Sequence, residues 1–186
     1  MSTATALEIP GYLAGTWDID PAHTDVGFAV RHLVVTKVRG RFDQVKGEIV
    51  TAENPLESSV DIAIDLTSVS TNNSQRDDHL RSPDFFEVDQ YPEMTYRATG
   101  ARQDGETFVL DGELTLKGIT RTVPLTFELN GFTGDPWGGT RAGFSASAQI
   151  NRKDFDVNFD GVQNGVAVVA DKVDIHIEVE AILRQP

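Results

Sequence analysis

The chain has no cysteine, two tryptophans and two methionines among its 186 residues. Without thiols there is no disulfide framework, no thiolate nucleophile and no cysteine-ligated zinc. Basic residues are also scarce, 16 Lys and Arg against 29 Asp and Glu, for a net charge of −13. A field of that sign repels phosphate backbones and argues against nucleic acid as a partner, and no Lys/Arg run is visible. No apolar run approaches the ~18 residues of a membrane span, so stable membrane insertion is not expected. The first residues carry neither a basic n-region nor an apolar segment, which leads to the expectation of a cytoplasmic protein. G-x-S-x-G, H-E-x-x-H, P-loop and dinucleotide signatures are all missing. His23, His32, His79 and His176 show no tight ligand spacing, so no metal site is expected.

What is present is two-residue alternation. Val26, Phe28 and Val30 share one face, as do Val60, Ile62, Ile64 and Leu66, then Met94, Tyr96 and Ala98. Further runs are Phe108 to Leu116, Val123 to Leu129, Ala142 to Ile150 and Val173 to Leu183. About eight strands joined by short turns, each with one apolar face and no helix long enough to cover them, must bury that face on themselves. Their length favours a closed barrel over a sandwich. The fold class is therefore all-β, an extended eight-stranded antiparallel barrel. Residues 1–14 read as a loose leader and 15–186 as a single domain.

One stretch does not alternate. Ser74–Val88, S-Q-R-D-D-H-L-R-S-P-D-F-F-E-V, gathers charge around a proline and ends in an aromatic pair. Asn72 or Asn73 can cap a short helical insert near residues 73–82, which Ser82-Pro83 ends. Two adjacent aromatics outside a strand should diverge, one of Phe85 and Phe86 toward the barrel and the other toward its mouth. Pairs such as Asp77 with His79, or Arg152 with Asp154, read first as ion pairs tying this insert to the barrel, and second as catalytic.

An eight-stranded barrel either fills with side chains or holds one small ligand. Gly112, Ala146, Ala148 and Ala181 fall on the inner face, where small residues leave volume or merely fit a taper. If hollow, the interior would take a long apolar ligand along Phe28, Val30, Phe42, Met94, Tyr96, Leu110, Leu114, Phe144 and Ala146.

Several segments together resemble the YceI-like family, the lipocalin-like polyisoprenoid-binding proteins. They are W-D-I-D-P-A-H-T at 17–24, F-A-V-R-H-L at 28–33, G-R-F at 40–42, R-D-D-H-L-R-S-P-D-F-F-E-V at 76–88, Y-P at 91–92, G-E-L-T-L-K-G-I-T-R-T-V at 112–123 and N-R-K-D-F at 151–155. The resemblance implies a lipocalin-like barrel around a polyisoprenoid, isoprenoid quinone or fatty amphiphile, with no other cofactor and no enzymatic activity; a homodimer is possible by the same resemblance. Its motif positions here are His23, His32, Arg76, Asp77, His79, Phe85, Phe86, Arg152, Asp154 and Phe155. Of these, Arg76, His79, Phe85, Phe86, Arg152 and Phe155 join the expected ligand site, the arginines facing an anionic head group. Two rivals stand beside a carrier: an enzyme acting on such a lipid, and a filled barrel serving as an interaction module. Many relatives are exported, and no export signal is read here. Asp156 stands where the family usually has glycine.

Overall fold

The computed structural model describes residues 8–186, apart from the side chains of Gln163 and Ala167. The alternating runs form strands almost everywhere they occur. They are β1 (Gly15–Ile19), β2 (Asp25–His32), β3 (Thr36–Phe42), β4 (Val45–Thr51), β5 (Ser59–Asp65) and β6 (Val69–Ser70), followed by the helix α1 (Ser74–Arg81). Then come β7 (Glu93–Thr99), β8 (Arg102–Asp104), β9 (Thr107–Leu116), β10 (Ile119–Gly134), β11 (Thr140–Asn151), β12 (Val162–Gln163), β13 (Val166–Ala167) and β14 (Val169–Leu183).

Three pairs of short strands are single barrel staves with a bend. Pro21 cannot donate to the ladder, so β1 breaks into a 3-10 turn at Pro21–His23 before β2 resumes against the same partner, β14. β3 and β4 are separated only by Asp43 and Gln44, and β5 and β6 by the 3-10 turn Leu66–Ser68. Counted as staves, the sheet runs β1/β2, β3/β4, β5/β6, β7, β9, β10, β11, β14 and returns to β1/β2, a closed eight-stranded antiparallel barrel. Each stave lies beside its neighbours in the chain, the up-and-down topology that leaves no free sheet edge.

We call the end carrying Thr51, Thr99 and Gly134 upper, and the opposite end, which carries α1, lower. The lower end receives the insert. Asn73 caps α1 by accepting from the Arg76 backbone N–H at 3.0 Å. Asp77, buried, accepts from the Thr71 backbone N–H at 2.8 Å and hydroxyl at 2.6 Å, which fastens the helix to the end of β6. At the upper end, residues 8–14 lie against the barrel: the Tyr12 hydroxyl donates to the Ala52 carbonyl at 2.7 Å, and Thr51 donates to that of Leu13 at 2.7 Å. Of the expected loose leader, residues 1–7 lie outside the described residues.

Two packed regions line the barrel wall. One surrounds Trp17, with Ala142, Phe144 and Ala181; the other, larger, runs from Ile19 to Phe155 and Val157 at the lower end.

Candidate functional site

The interior is hollow in its middle. A lower chamber of about 150 Å³ and an upper one of about 100 Å³ share the side chains of Ile62, Leu125, Ile177 and Val179 as a common waist. An apolar space of about 150 Å³ in another protein stays dry and accepts benzene, so space of this size and chemistry is unfavourable for water and favourable for hydrocarbon. The 12 residues of β11 span roughly 40 Å, and barrel tilt shortens this to an axis of about 30 Å. The shape is long and narrow.

Twelve of the fifteen expected ligand residues line this space. Phe28, Val30, Phe42, Phe85, Phe86, Met94, Tyr96, Leu114 and Arg152 line the lower chamber, and Leu110, Phe144 and Ala146 the upper. Arg76, His79 and Phe155 do not. Arg76 is turned to the β6 end, where its Nε donates to the Thr71 hydroxyl at 2.7 Å and Nη2 to the Thr71 carbonyl at 2.9 Å. His79 pairs through Nε2 with Asp84 at 2.8 Å and stands edge-on to Phe85 and Phe159, with ring centroids 5.1 and 4.8 Å away. Phe155 is buried in the wall below the chamber.

Phe85 and Phe86 both reach the lower chamber, against the expectation that they diverge. Successive turns produce this: the Phe85 N–H bonds to the Ser82 carbonyl and that of Phe86 to Leu80. Phe86 then packs on Phe42 and Phe85 on Phe159, at centroid distances of 5.8 and 5.2 Å, from different walls.

The small inner-face residues divide. Ala146 and Ala148 border empty space. Gly112 and Ala181 do not create it: Tyr96 fills the space at Gly112, and Ala181 packs under Trp17 in the smaller packed region.

The polar groups along the walls are engaged by the protein itself. Arg152 is the one ionised side chain among the described lining residues, and it is 4% exposed. Its Nε donates to the Ala170 carbonyl at 2.9 Å, Nη1 to Val157 at 2.8 Å, and Nη2 to the Asp160 carboxylate at 2.9 Å and the Val169 carbonyl at 3.2 Å. Its partner is Asp160, where the sequence suggested Asp154, because the turn Arg152–Phe155 doubles the chain back. That turn closes with Asp156 at φ 58°, ψ 26°, the left-handed geometry that glycine adopts without strain. Tyr96 is neutral, its phenol pushed up to about 12 by burial. The upper rim offers uncharged hydroxyls, with Tyr12 Oη 3.4 Å from Ser58 Oγ.

One cluster outside the barrel interior brings three potential metal ligands together, Asp20, His23 and Glu180. A cation already sits among them: Arg141 Nη1 donates to Asp20 at 2.8 Å and to Glu180, and Nε donates to Asp135 at 3.1 Å. The Arg141 bond, then the His23 bond, holds the Asp20 carboxyl below the usual range. His176 is exposed on the outer face of β14.

Comparison with known proteins agrees with this architecture. Residues 17–181 match the YceI-like domain. The chain belongs to the YceI-like family. It is 41% identical over 160 residues to the UPF0312 protein plu2095 of Photorhabdus laumondii, covering 84% of this chain and 83% of the relative. It is 38% identical to Protein YceI of Shigella flexneri over 166 residues, 89% of this chain and 84% of that one. The crystal structure of the Campylobacter jejuni YCEI protein superimposes with a TM-score of 0.72 at 33% identity, over 89% of this YceI-like chain and 96% of that one. A polyisoprenoid binding domain from Saccharophagus degradans shares the fold, with a TM-score of 0.70 at 17% identity over 92% of this chain and all of that one.

Within the family architecture, sequence reading missed the upper mouth. Ile9 and Tyr12 line it from a segment whose sequence carries no alternation. The waist residues Ile62, Leu125, Ile177 and Val179 were legible as inner-face positions, but nothing in the sequence set them apart.

Proposed function

We propose that this protein binds and carries a long-chain isoprenoid or comparable fatty amphiphile along the barrel axis, without catalysing a reaction on it. The observation that carries the reading is the pair of apolar chambers joined at a waist, long and narrow rather than round. Each CH₂ removed from water there contributes about 0.8 kcal/mol, so a tail needs no polar contact to bind tightly. The shared fold with a polyisoprenoid binding domain supports the ligand class.

The walls favour an uncharged head group, such as a quinone or an alcohol, over a phosphate. Arg152, the ionised lining residue, has its donors bonded to protein carbonyls and Asp160, Arg76 is turned away from the chambers onto Thr71, and burying a second charge unpaired is costly. A hydroxyl-lined rim such as Tyr12 and Ser58 suits a carbonyl or hydroxyl head. The same engagement weighs against a lipid-transforming enzyme, since no lining acid or base is free to move a proton.

Calorimetric titration of delipidated protein with isoprenoid alcohols of increasing length tests this. Affinity should rise with each added unit, then level off when the tail exceeds the barrel axis. Affinity independent of length, or no binding at any length, contradicts it.

A further inference from the structure

The net charge of −13 conceals a basic hairpin at the lower end. Between Asp25 and Asp43 the chain holds Arg31, Lys37, Arg39 and Arg41 and no acidic residue. The alternation that turns Val26, Phe28 and Val30 inward turns all four cations outward on β2 and β3, where all four are exposed. Lys37 is held by Asp174 at 3.6 Å and Arg41 by Asp43 at 2.7 Å. Arg31 and Arg39 have no carboxylate partner among the described residues.

The tip of this hairpin is apolar. Val34 and Val35 are 68% and 82% exposed, and Leu33 and Val34 both stand in the left-handed region, at φ 50° and 66°. Asn or Gly would fit that backbone without strain, whereas a β-branched residue is an outlier there. Neither packing nor turn chemistry accounts for exposed valine at this position. A second hairpin adjoins the first: the Leu33 N–H donates to the Val168 carbonyl at 3.1 Å, and β12 and β13 present Val162 and Val166 at 70% and 40% exposure. Asp160 and Asp171 beside the second hairpin are already paired with Arg152 and Lys153, and Asp174 on β14, near Arg31, is held by Lys37.

Directly behind these tips the wall is irregular. The β2–β14 register shifts between Val169 and Val173, and Val30, Val169 and Val173 line the lower chamber. The apolar tips, the basic face and the end of the cavity are therefore continuous.

We propose that the lower end docks on an anionic lipid bilayer, with the valine tips dipping among the acyl chains and Arg31 and Arg39 facing the head groups. Exposed apolar side chains flanked by cations match the two components of an interfacial surface, an apolar layer beneath a negative one. The upper end has no such cationic hairpin, and its loops carry Glu8, Glu53, Glu57, Asp104 and Glu106. The other acids of the lower end, Asp78, Asp84, Glu87, Asp89, Asp154 and Asp156, lie on α1 and in the turns after α1 and β11, which confines the docking face to the β2–β3 hairpin and the hairpin beside it. Docking here would bring the irregular seam to the membrane, where an apolar ligand could pass without crossing water.

Vesicle flotation tests the docking without any ligand, so its outcome is separable from that of the carrier reading. Full-length protein is floated with vesicles of phosphatidylcholine alone and of phosphatidylcholine mixed with phosphatidylglycerol. Binding to the mixed vesicles only, weakened by salt, is expected. Val34→Asn with Val35→Ser, and separately Arg31→Glu with Arg39→Glu, should each weaken it about tenfold or more. The control pair Arg97→Glu with Arg102→Glu, exposed on β7 and β8, changes net charge equally and should retain most of the binding. The proposal is overturned if wild type does not float with the mixed vesicles, if either hairpin variant floats like wild type, or if the control pair loses as much as the hairpin pair.

Discussion

The phenol of Tyr96 occupies the volume that a side chain at Gly112 would need. A Cβ there would lie 2.4 Å from Tyr96 Cζ and 2.5 Å from its oxygen. The same oxygen accepts from the Gly112 N–H at 3.1 Å and donates to the Val123 carbonyl at 2.9 Å, so one ring links β7, β9 and β10 across the wall of the lower chamber. Gly112→Ala should therefore cost about 1–3 kcal/mol by overpacking. Tyr96→Phe should cost a similar amount by leaving a buried N–H and carbonyl unpaired. Urea unfolding of the double variant should be less destabilising than the sum of the two, because the residues share one contact.

Tyr96 also sets an alkaline limit. Its folded-state value of about 12 lies above the ordinary phenol value near 10. The stabilisation is fully present below pH 10 and is lost as pH rises toward 12. Near-ultraviolet absorbance titration should show one phenol ionising late and together with unfolding, a phase absent from Tyr96→Phe.

Arg152 is expected to be structural rather than a head-group ligand. Arg152→Met removes bonds to three carbonyls and Asp160, and should lower stability by about 3 kcal/mol in urea titration. Arg152→Lys should recover little, since an ammonium cannot reproduce the planar fork. Lipid affinity of the Lys variant, measured where it is folded, should match wild type.

Asp156 holds a left-handed conformation at φ 58°, with its carbonyl accepting from Lys117 at 3.0 Å. Glycine adopts that geometry without the ~1 kcal/mol cost to an L-residue. Asp156→Gly should raise the unfolding midpoint without altering ligand affinity. A fall would mean that the Asp156 side chain, which accepts from Asn158 Nδ2, matters more than the backbone.

Ala148 and Ala146 are the small residues that border empty space. Ala148→Phe should fill part of the lower chamber, lower lipid affinity at least about tenfold and leave thermal stability equal or higher, as cavity filling does. Stability that drops with unchanged affinity would mean that the chamber does not hold the tail.

The barrel was legible because strand alternation writes inside and outside directly onto the sequence, most plainly in Val173 to Leu183. The breaks were legible too, since Pro21 and Ser82-Pro83 act locally through fixed φ and a missing donor. Which inner-face glycine or alanine marks space was not, because that depends on a residue across the wall: Tyr96 for Gly112, Trp17 for Ala181. The partners of Asp77 and Arg152 were hidden for the same reason. Asp77 lies in α1 and Arg152 in a 3-10 turn, so the group two residues along the chain, His79 or Asp154, is not the partner in space. The sequence left room for a local basic patch but did not place it on β2 and β3, because the cations there alternate with apolar residues and form no run.

The most direct measurement is the identity of whatever occupies the barrel. Purified protein extracted with organic solvent and examined by mass spectrometry should release a long-chain lipid in near-stoichiometric amount, with an uncharged head, and Ala148→Phe should release much less. Protein that carries no lipid and binds no added isoprenoid would contradict the account.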